Sequence, residues 1–353
     1  MESLARLRQN LSFQRIGIVY VWIVVIVVFA ILKSNPFFTI GTVRAVLNDY
    51  SLAGLAAMAV LIPMASGTID ASIGGNISLT SVVAAELLGS THLPIAIVVI
   101  LTLAVGAAIG LANIIVVVVL KIPSIIGTLA IWLIADALSV AVSGNQIVSS
   151  TKLSGTFGSY FALSNWNEFE IPIFFLIILA TIIGVVLTQT PGGRNTTAVG
   201  LNLEVARNTG IHVRAVQARA LIIGGMLGAL AGLVLTAQVA SASPGSGDGY
   251  LLPAFAAVFL GATQFRLKRF SAWGTVLAVF MLGTGQYGLQ LSGAPQWTPN
   301  IFQGLALIAA IGLSQILVTK SPGRKGNVRK FFSIRKEPVL SEQGAESSVS
   351  ITS

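Results

Sequence analysis

The chain has 353 residues, of which 54% are hydrophobic and only 9% charged, with a mean hydropathy of +0.87. A soluble domain carries about 25% charged residues, so this composition cannot cover a water-facing surface and the chain reads as an integral membrane protein. The net charge of +9 would suit a nucleic-acid partner in a soluble protein; in a membrane chain basic residues mark cytoplasmic loops, and no nucleic acid is expected.

Residues 1–15 form a short basic segment with Arg6, Arg8 and Arg15, followed by the charge-free apolar run 16–32. The pair resembles a signal peptide, but Lys33-Ser-Asn-Pro follows where small residues would mark cleavage, so an uncleaved first span is expected. Apolar windows of about 20 residues, the length that crosses a bilayer as a helix, recur throughout. The further spans are predicted near 50–66, 73–89, 94–119, 124–143, 171–188, 218–240, 250–263, 272–291 and 300–318, making ten. The runs at 73–89 and 250–263 are polar or short for spans, which makes them candidates for broken or re-entrant helices. The short alternating segments of an outer-membrane barrel are absent. The fold class is therefore an all-α polytopic membrane protein of about ten helices, with a transmembrane domain over 16–319 and a polar tail over 320–353 expected to be disordered and cytoplasmic.

Charge gives the orientation. With ten spans, all of the 21 Lys and Arg except Lys33, Arg44 and Lys152 fall on the side of the N-terminus, which predicts both termini inside. The longest outside loop, 144–170, carries Asn145, Gln146, Glu168 and Glu170, and Tyr160, Trp166 and Trp297 suit an outer aromatic belt. The basic block from Lys320 to Lys336 suits anionic lipid.

Three polar stretches interrupt the apolar pattern. The first is Ser66-Gly-Thr-Ile-Asp-Ala-Ser-Ile-Gly-Gly75. A carboxylate at mid-span costs roughly 2.5–3.5 kcal/mol on insertion scales, so Asp70 is expected to face water, cap a half-helix through the amides of Ser72 or Ile73, or pair with another group. Two readings stand: a broken helix lining a polar path, or a surface loop with a capped following helix. The second stretch, Ser241 to Pro253, has the same small residues and a carboxylate before an apolar half-span, hinting at an internal repeat. The third is the charged island 200–213, GLNLEVARNTGIHV. Asn202 can cap a helix from Leu203, Glu204 suits its first turn, and Gly210 can end it. Two turns are too short to stand alone in water, so the membrane domain or a partner must hold them; a plain solvated loop is the other reading.

Gly224, Gly225, Gly228 and Gly232 lie at helical spacing and read as tight packing within one bundle ahead of a dimerisation face. Asn113, Thr128 and Gln286 read as helix–helix hydrogen bonds, while Glu86 and Asp136 lack a basic neighbour in sequence. His92 and His212 are isolated, and there is no cysteine, so no metal site, disulfide or cofactor is expected. No GxxxxGK[ST] motif and no nucleophile–base arrangement appear, so no catalytic residue is assigned.

These stretches resemble the permease subunits of bacterial ATP-binding-cassette importers for ribose and related sugars, polyols and autoinducer-2, over nearly all of residues 15–318. The family's Gly-Gly-Ile-Asp-Leu-Ser-Val-Gly is similar to Gly67-Thr-Ile-Asp-Ala-Ser-Ile-Gly74, and its Ile-Pro-Pro-Phe-Ile-x-Thr-Leu-Gly to Ile122-Pro-Ser-Ile-Ile-Gly-Thr-Leu129. The segments Thr190 to Arg194, Ala198 to Ile211 and Ser241 to Tyr250 match further motifs. Thr68 stands where the family usually has glycine, Ala71 where leucine is common and Asp136 where a basic residue is frequent; Gln264 to Phe270 replaces a Gly-rich turn. The resemblance implies a sugar or polyol importer in the bacterial inner membrane, not an enzyme itself, working with a separate ATPase subunit, a periplasmic substrate-binding protein and a second permease chain, identical or a sister. It implies a substrate pathway near Asp70, Ser72, Asn113, Thr128 and Asp136, and ATPase coupling through Asn202, Glu204, Ala206, Arg207 and Gly210. The alternatives are a permease of the same type for a nucleoside or branched-chain amino acid, and an ion-coupled carrier using Asp70 or Asp136 for protons. An intramembrane enzyme is a third class, without a catalytic constellation to support it.

Overall fold

The structure, a computed structural model, describes residues 13–32, 37–163, 165–166, 169–262 and 269–319. The basic segment through residue 12, Lys33, Glu168, residues 264–268 and the tail from 320 lie outside the described residues. The chain divides into units 1–315 and 316–353, and all packing below belongs to the first.

Thirteen α-helices account for most of the described residues. They are α1 (Phe13–Leu32), α2 (Ile40–Asp49), α3 (Ser51–Ala65), α4 (Ile73–Ser90), α5 (Ile95–Asn113), α6 (Ser124–Ser143) and α7 (Ile171–Gln189). After these come α8 (Pro191–Leu201), α9 (Leu203–Asn208), α10 (Val213–Val239), α11 (Leu251–Ala262), α12 (Ala272–Leu291) and α13 (Thr298–Thr319). Each of the ten predicted spans falls on a helix. The sequence reading missed α2, which carries Arg44, Asn48 and Asp49 and so breaks the hydropathy signal. Five helical stretches are long and apolar enough to cross a bilayer: Ile40–Ala65, Ile95–Val119, Ser124–Ser143, Ile171–Gln189 and Val213–Val239. The fold is that of a polytopic all-α membrane protein.

The helices start and stop for local reasons. Thr190 and Ser271 accept from the amides of Gly193 and Gly274 as N-caps of α8 and α12. Pro191 opens α8, where its missing amide costs nothing. A π-helical segment, Ile114–Val119, carries α5 onward to Leu120.

Helix α10 is the centre of the bundle. It packs against α3, α4 and α5, and its glycines are the seats. A side chain on Gly224 would meet Pro63 of α3; one on Gly225 would meet the backbone of Gly106 in α5; those on Gly228 and Gly232 would meet Asn76 and Thr80 of α4. The small-residue ridge thus does its packing inside one chain, as the spacing suggested. Polar bonds lock the same faces: Asn76 Nδ2 donates to Gly225 O at 2.9 Å and Thr236 Oγ1 to Ser81 O at 3.0 Å. Helices α3 and α4 are almost wholly buried, whereas α5, α6 and α7 expose residues such as Ile100, Leu133, Ile134, Ile178 and Ile182, as lipid-facing helices do.

Contacts between loops fix which helix ends share a side. Val148 pairs with Ala242 in a two-residue strand contact, the Glu170 amide donates to Asn48 Oδ1, and Gln238 Nε2 donates to Glu170 Oε2, so the ends after α2, α6 and α10 and before α7 lie together. At the opposite ends, Gly67 abuts Gly200 and the Ile69 amide donates to Ser124 Oγ. For α3 and α6, whose two ends these contacts fix, the opposite directions expected from the charge pattern are present.

Candidate functional site

The segment between α3 and α4 is a break enclosed by protein. Ser66 Oγ and Thr68 Oγ1 both donate to the Pro63 carbonyl, at 2.7 and 3.0 Å, closing the end of α3. Gly67 turns the chain with φ +79, a conformation that a side chain would strain. The freed amides of Ile69 and Ala71 find Ser124 Oγ and Thr128 Oγ1 on α6, at 3.3 and 2.9 Å.

Asp70 is fully buried. Its Oδ1 accepts from the Ser72 amide at 2.9 Å and from Ser72 Oγ at 2.6 Å, and Asn113 Nδ2 of α5 reaches both carboxylate oxygens at 3.2 and 3.3 Å. Asn113 Nδ2 also lies 2.7 Å from Ser72 Oγ. Hydrogen bonds to a charged group are worth about 1.5–3 kcal/mol each, so three donors more than offset the roughly 2.5–3.5 kcal/mol cost of placing a carboxylate in a span. Of the options the sequence left open, pairing is realised and water exposure is not; Asp70 takes the Ser72 amide but is not the cap of α4, whose N-cap is Ser72 without a side-chain cap bond. Asp70, Ser72, Asn113 and Thr128, far apart in sequence, form one polar knot joining α4, α5 and α6.

Asp136 lies elsewhere. It stands on α6 with one carboxylate oxygen buried and without a hydrogen-bond partner, facing the turn at Gly245 that also carries Asp248. Trp132, one turn earlier, donates from Nε1 to Asp248 Oδ1 at 2.8 Å. The second polar stretch docks on α4 through the Gly247 amide, which donates to Ser78 Oγ at 2.9 Å. The meeting of Asp136 with Asp248 and Trp132 was missed; the available signal was that both carboxylates sit alone among apolar and small residues. Gln286 departs from expectation: it makes no helix–helix hydrogen bond with any described residue and faces a cavity beside α13.

The charged island folds as anticipated. Asn202 Oδ1 accepts from the Val205 amide at 3.1 Å, Glu204 sits in the first turn of α9 and Arg207 in its last. Gly210 has φ +85, and the Ile211 amide returns to the Ala206 carbonyl at 3.1 Å, a glycine-closed helix end. Ala206 is buried, at 3% exposure; every other residue of α9 is exposed, including Leu203 and Val205. Just before it, Gly200 lies against the backbone of Ala65 and Gly67, so the island touches the break directly.

At the other end, Glu170 leads into α7. Partial burial and the nearby Asp49 carboxylate raise its carboxyl above the usual range, and a hydrogen bond from Gln238 opposes that. Among the described residues no group of three or more His, Asp or Glu is placed to hold a metal ion.

A family model described as the branched-chain amino acid transport system permease component matches residues 42–311. Curated relatives are similar over most of their length. The fructose import permease protein of Rhizobium meliloti is 28% identical over 297 residues, covering 82% of each chain. The ribose import permease protein of Bacillus subtilis (strain 168) is 30% identical over 271 residues, covering 76% of this chain and 83% of that one. The L-arabinose transport system permease protein of Escherichia coli (strain K12) is 29% identical over 318 residues, covering 86% and 92%. No solved structure matches.

Proposed function

The chain belongs to the family of the branched-chain amino acid transport system permease component, and from that premise we propose that it is the membrane subunit of an ATP-driven importer for a monosaccharide or polyol. The sugar is inferred from the similarity to the ribose, fructose and arabinose permeases, which favours it over a nucleoside or amino acid. In this reading the chain lies in the bacterial inner membrane with both termini cytoplasmic, and it hydrolyses nothing itself. A separate ATPase subunit seats α9, a periplasmic binding protein delivers the substrate, and a second permease chain, the same or a sister, completes the pathway.

The observation that carries the ATP-driven reading is α9: a helix of 6 residues, capped at both ends, with all but Ala206 turned outward. So short a helix has no stability of its own and buries only Ala206 inward, yet it presents Leu203 and Val205 to solvent. A partner's groove accounts for both. Asn202, Glu204, Arg207 and Gly210 set its start, charge and end, and Ala206 roots it. Asp70, Ser72, Asn113 and Thr128 shape the pathway wall from behind, and Asp136 borders it on α6.

The test is uptake of labelled ribose, fructose and arabinose in cells expressing the chain with its ATPase and binding-protein partners. Uptake is expected to stop when ATP is depleted while the proton gradient is held, and Glu204→Lys or Gly210→Trp is expected to abolish co-purification of the ATPase. Uptake that continues without ATP would mean an ion-coupled carrier and end the importer reading.

A further inference from the structure

At the ends of the helices remote from α9, the C-termini of α2 and α12, the N-termini of α3 and α13 and the turn before α11 enclose a cavity of about 350 Å³. On the importer topology this is the outer face, where cargo arrives. Asp49, Tyr50, Tyr250, Gln286, Asn300 and Gln303 are among its lining residues. The side-chain amides of Gln286, Asn300 and Gln303 make no hydrogen bond with any described residue. Each amide offers two donors and an acceptor, the complement of a hydroxyl that both gives and accepts a proton. Tyr50 is held in place by an absence: a Cβ on Gly283 of α12 would stand 2.5 Å from its ring. Among the described residues no lysine, arginine or histidine lines the cavity, so none of them offers a side-chain cation to the carboxylate of an amino acid or to a phosphate. Pockets that recognise small ligands combine an apolar body with a few polar groups that fix orientation, and this wall has that make-up.

We propose that the cavity is a polyol-acceptor site on the permease itself, which holds a neutral monosaccharide through Gln286, Asn300 and Gln303, with Tyr50 and Tyr250 against the sugar. The inference rests on the sugar-import reading and gives that reading an entry site in the membrane subunit. A site built from amides selects for hydroxyl groups, because a ligand lacking them leaves the amides unpaired.

The experiment takes the full complex with its ATPase in lipid nanodiscs, without binding protein, and records saturation-transfer NMR with D-ribose, D-fructose, L-arabinose and L-leucine. The same complex with binding protein is assayed for import in proteoliposomes. Saturation transfer is expected to the imported sugar and not to leucine. It is expected to fall at least tenfold in the double variant Gln286→Leu/Gln303→Leu, with ATPase co-purification unchanged. Asn300→Ala, at an exposed position in the first turn of α13, is a second variant that leaves the packing intact and is expected to weaken the signal severalfold. If the wild type imports a sugar but shows no saturation transfer to it, or if the variants keep the wild-type signal, the acceptor site is overturned and the importer reading survives. If the wild type imports none of the three sugars, the sugar reading falls and takes the site's assignment with it.

Discussion

Asp70 shows how far a residue can be read before its neighbours are known. The sequence establishes that a carboxylate in an apolar region must find partners; it cannot say that one of them is Asn113, 43 positions away. The structure makes Asp70 a three-donor acceptor holding the break together. Asp70→Ala would strand the Ser72 amide and leave the Ser72 hydroxyl proton without its acceptor, each worth about 1–3 kcal/mol when buried and unpaired, while Asn113 Nδ2 keeps Ser72 Oγ. A marked drop in the melting temperature of the detergent-solubilised protein is expected, and a smaller one for Asp70→Asn, which keeps one acceptor oxygen. An Asp70→Ala protein that melts like the wild type would show that the knot contributes no stability. The cavity residues were illegible for a related reason. Tyr50, Tyr250, Gln286 and Gln303 come from four segments, and each taken singly is an ordinary polar residue near the end of a span.

At the scale of the element, spans were legible because length and hydropathy are local properties. The caps of α9 were legible too, since Asn202 and Gly210 act within one turn of themselves. What α10 does was half legible. The spacing of Gly224, Gly225, Gly228 and Gly232 announced a packing ridge, while the assignment of its seats to α3, α4 and α5 needed three dimensions. Gly225 and Gly106 meet backbone to backbone, so a side chain there has nowhere to go. Gly225→Leu is expected to cost more than the ~1–3 kcal/mol typical of an overpacked core. On fluorescence-detected size exclusion it should shift from a single peak to aggregate, whereas Met226→Leu, on a more exposed face, should not. A monodisperse Gly225→Leu protein would contradict the close approach of α10 to α5.

For the whole molecule, alternation of charge and alternation of contacts give the same answer by independent routes. Basic residues gather on one side of the predicted spans, and the loop contacts put the ends after α6 and α10 on one side and the start of α6 on the other, in agreement with it. The absolute direction comes from charge alone. A fluorescent protein fused to the C-terminus is therefore expected to fluoresce in the cytoplasm, and alkaline phosphatase fused after Tyr160 to be active outside. The reverse pattern would invert the membrane orientation and place the cavity beside the ATPase instead of the binding protein.

The meeting of Gly200 with Gly67 has a consequence for compliance. Ordinary contacts between helices are cushioned by side chains, which hop between rotamers and absorb small displacements. Here backbone rests on backbone, so there are no rotamers to yield. The joint is as stiff as the peptide chain itself, and two places separated by more than 130 residues of sequence are, for a small shove along that line, a single piece.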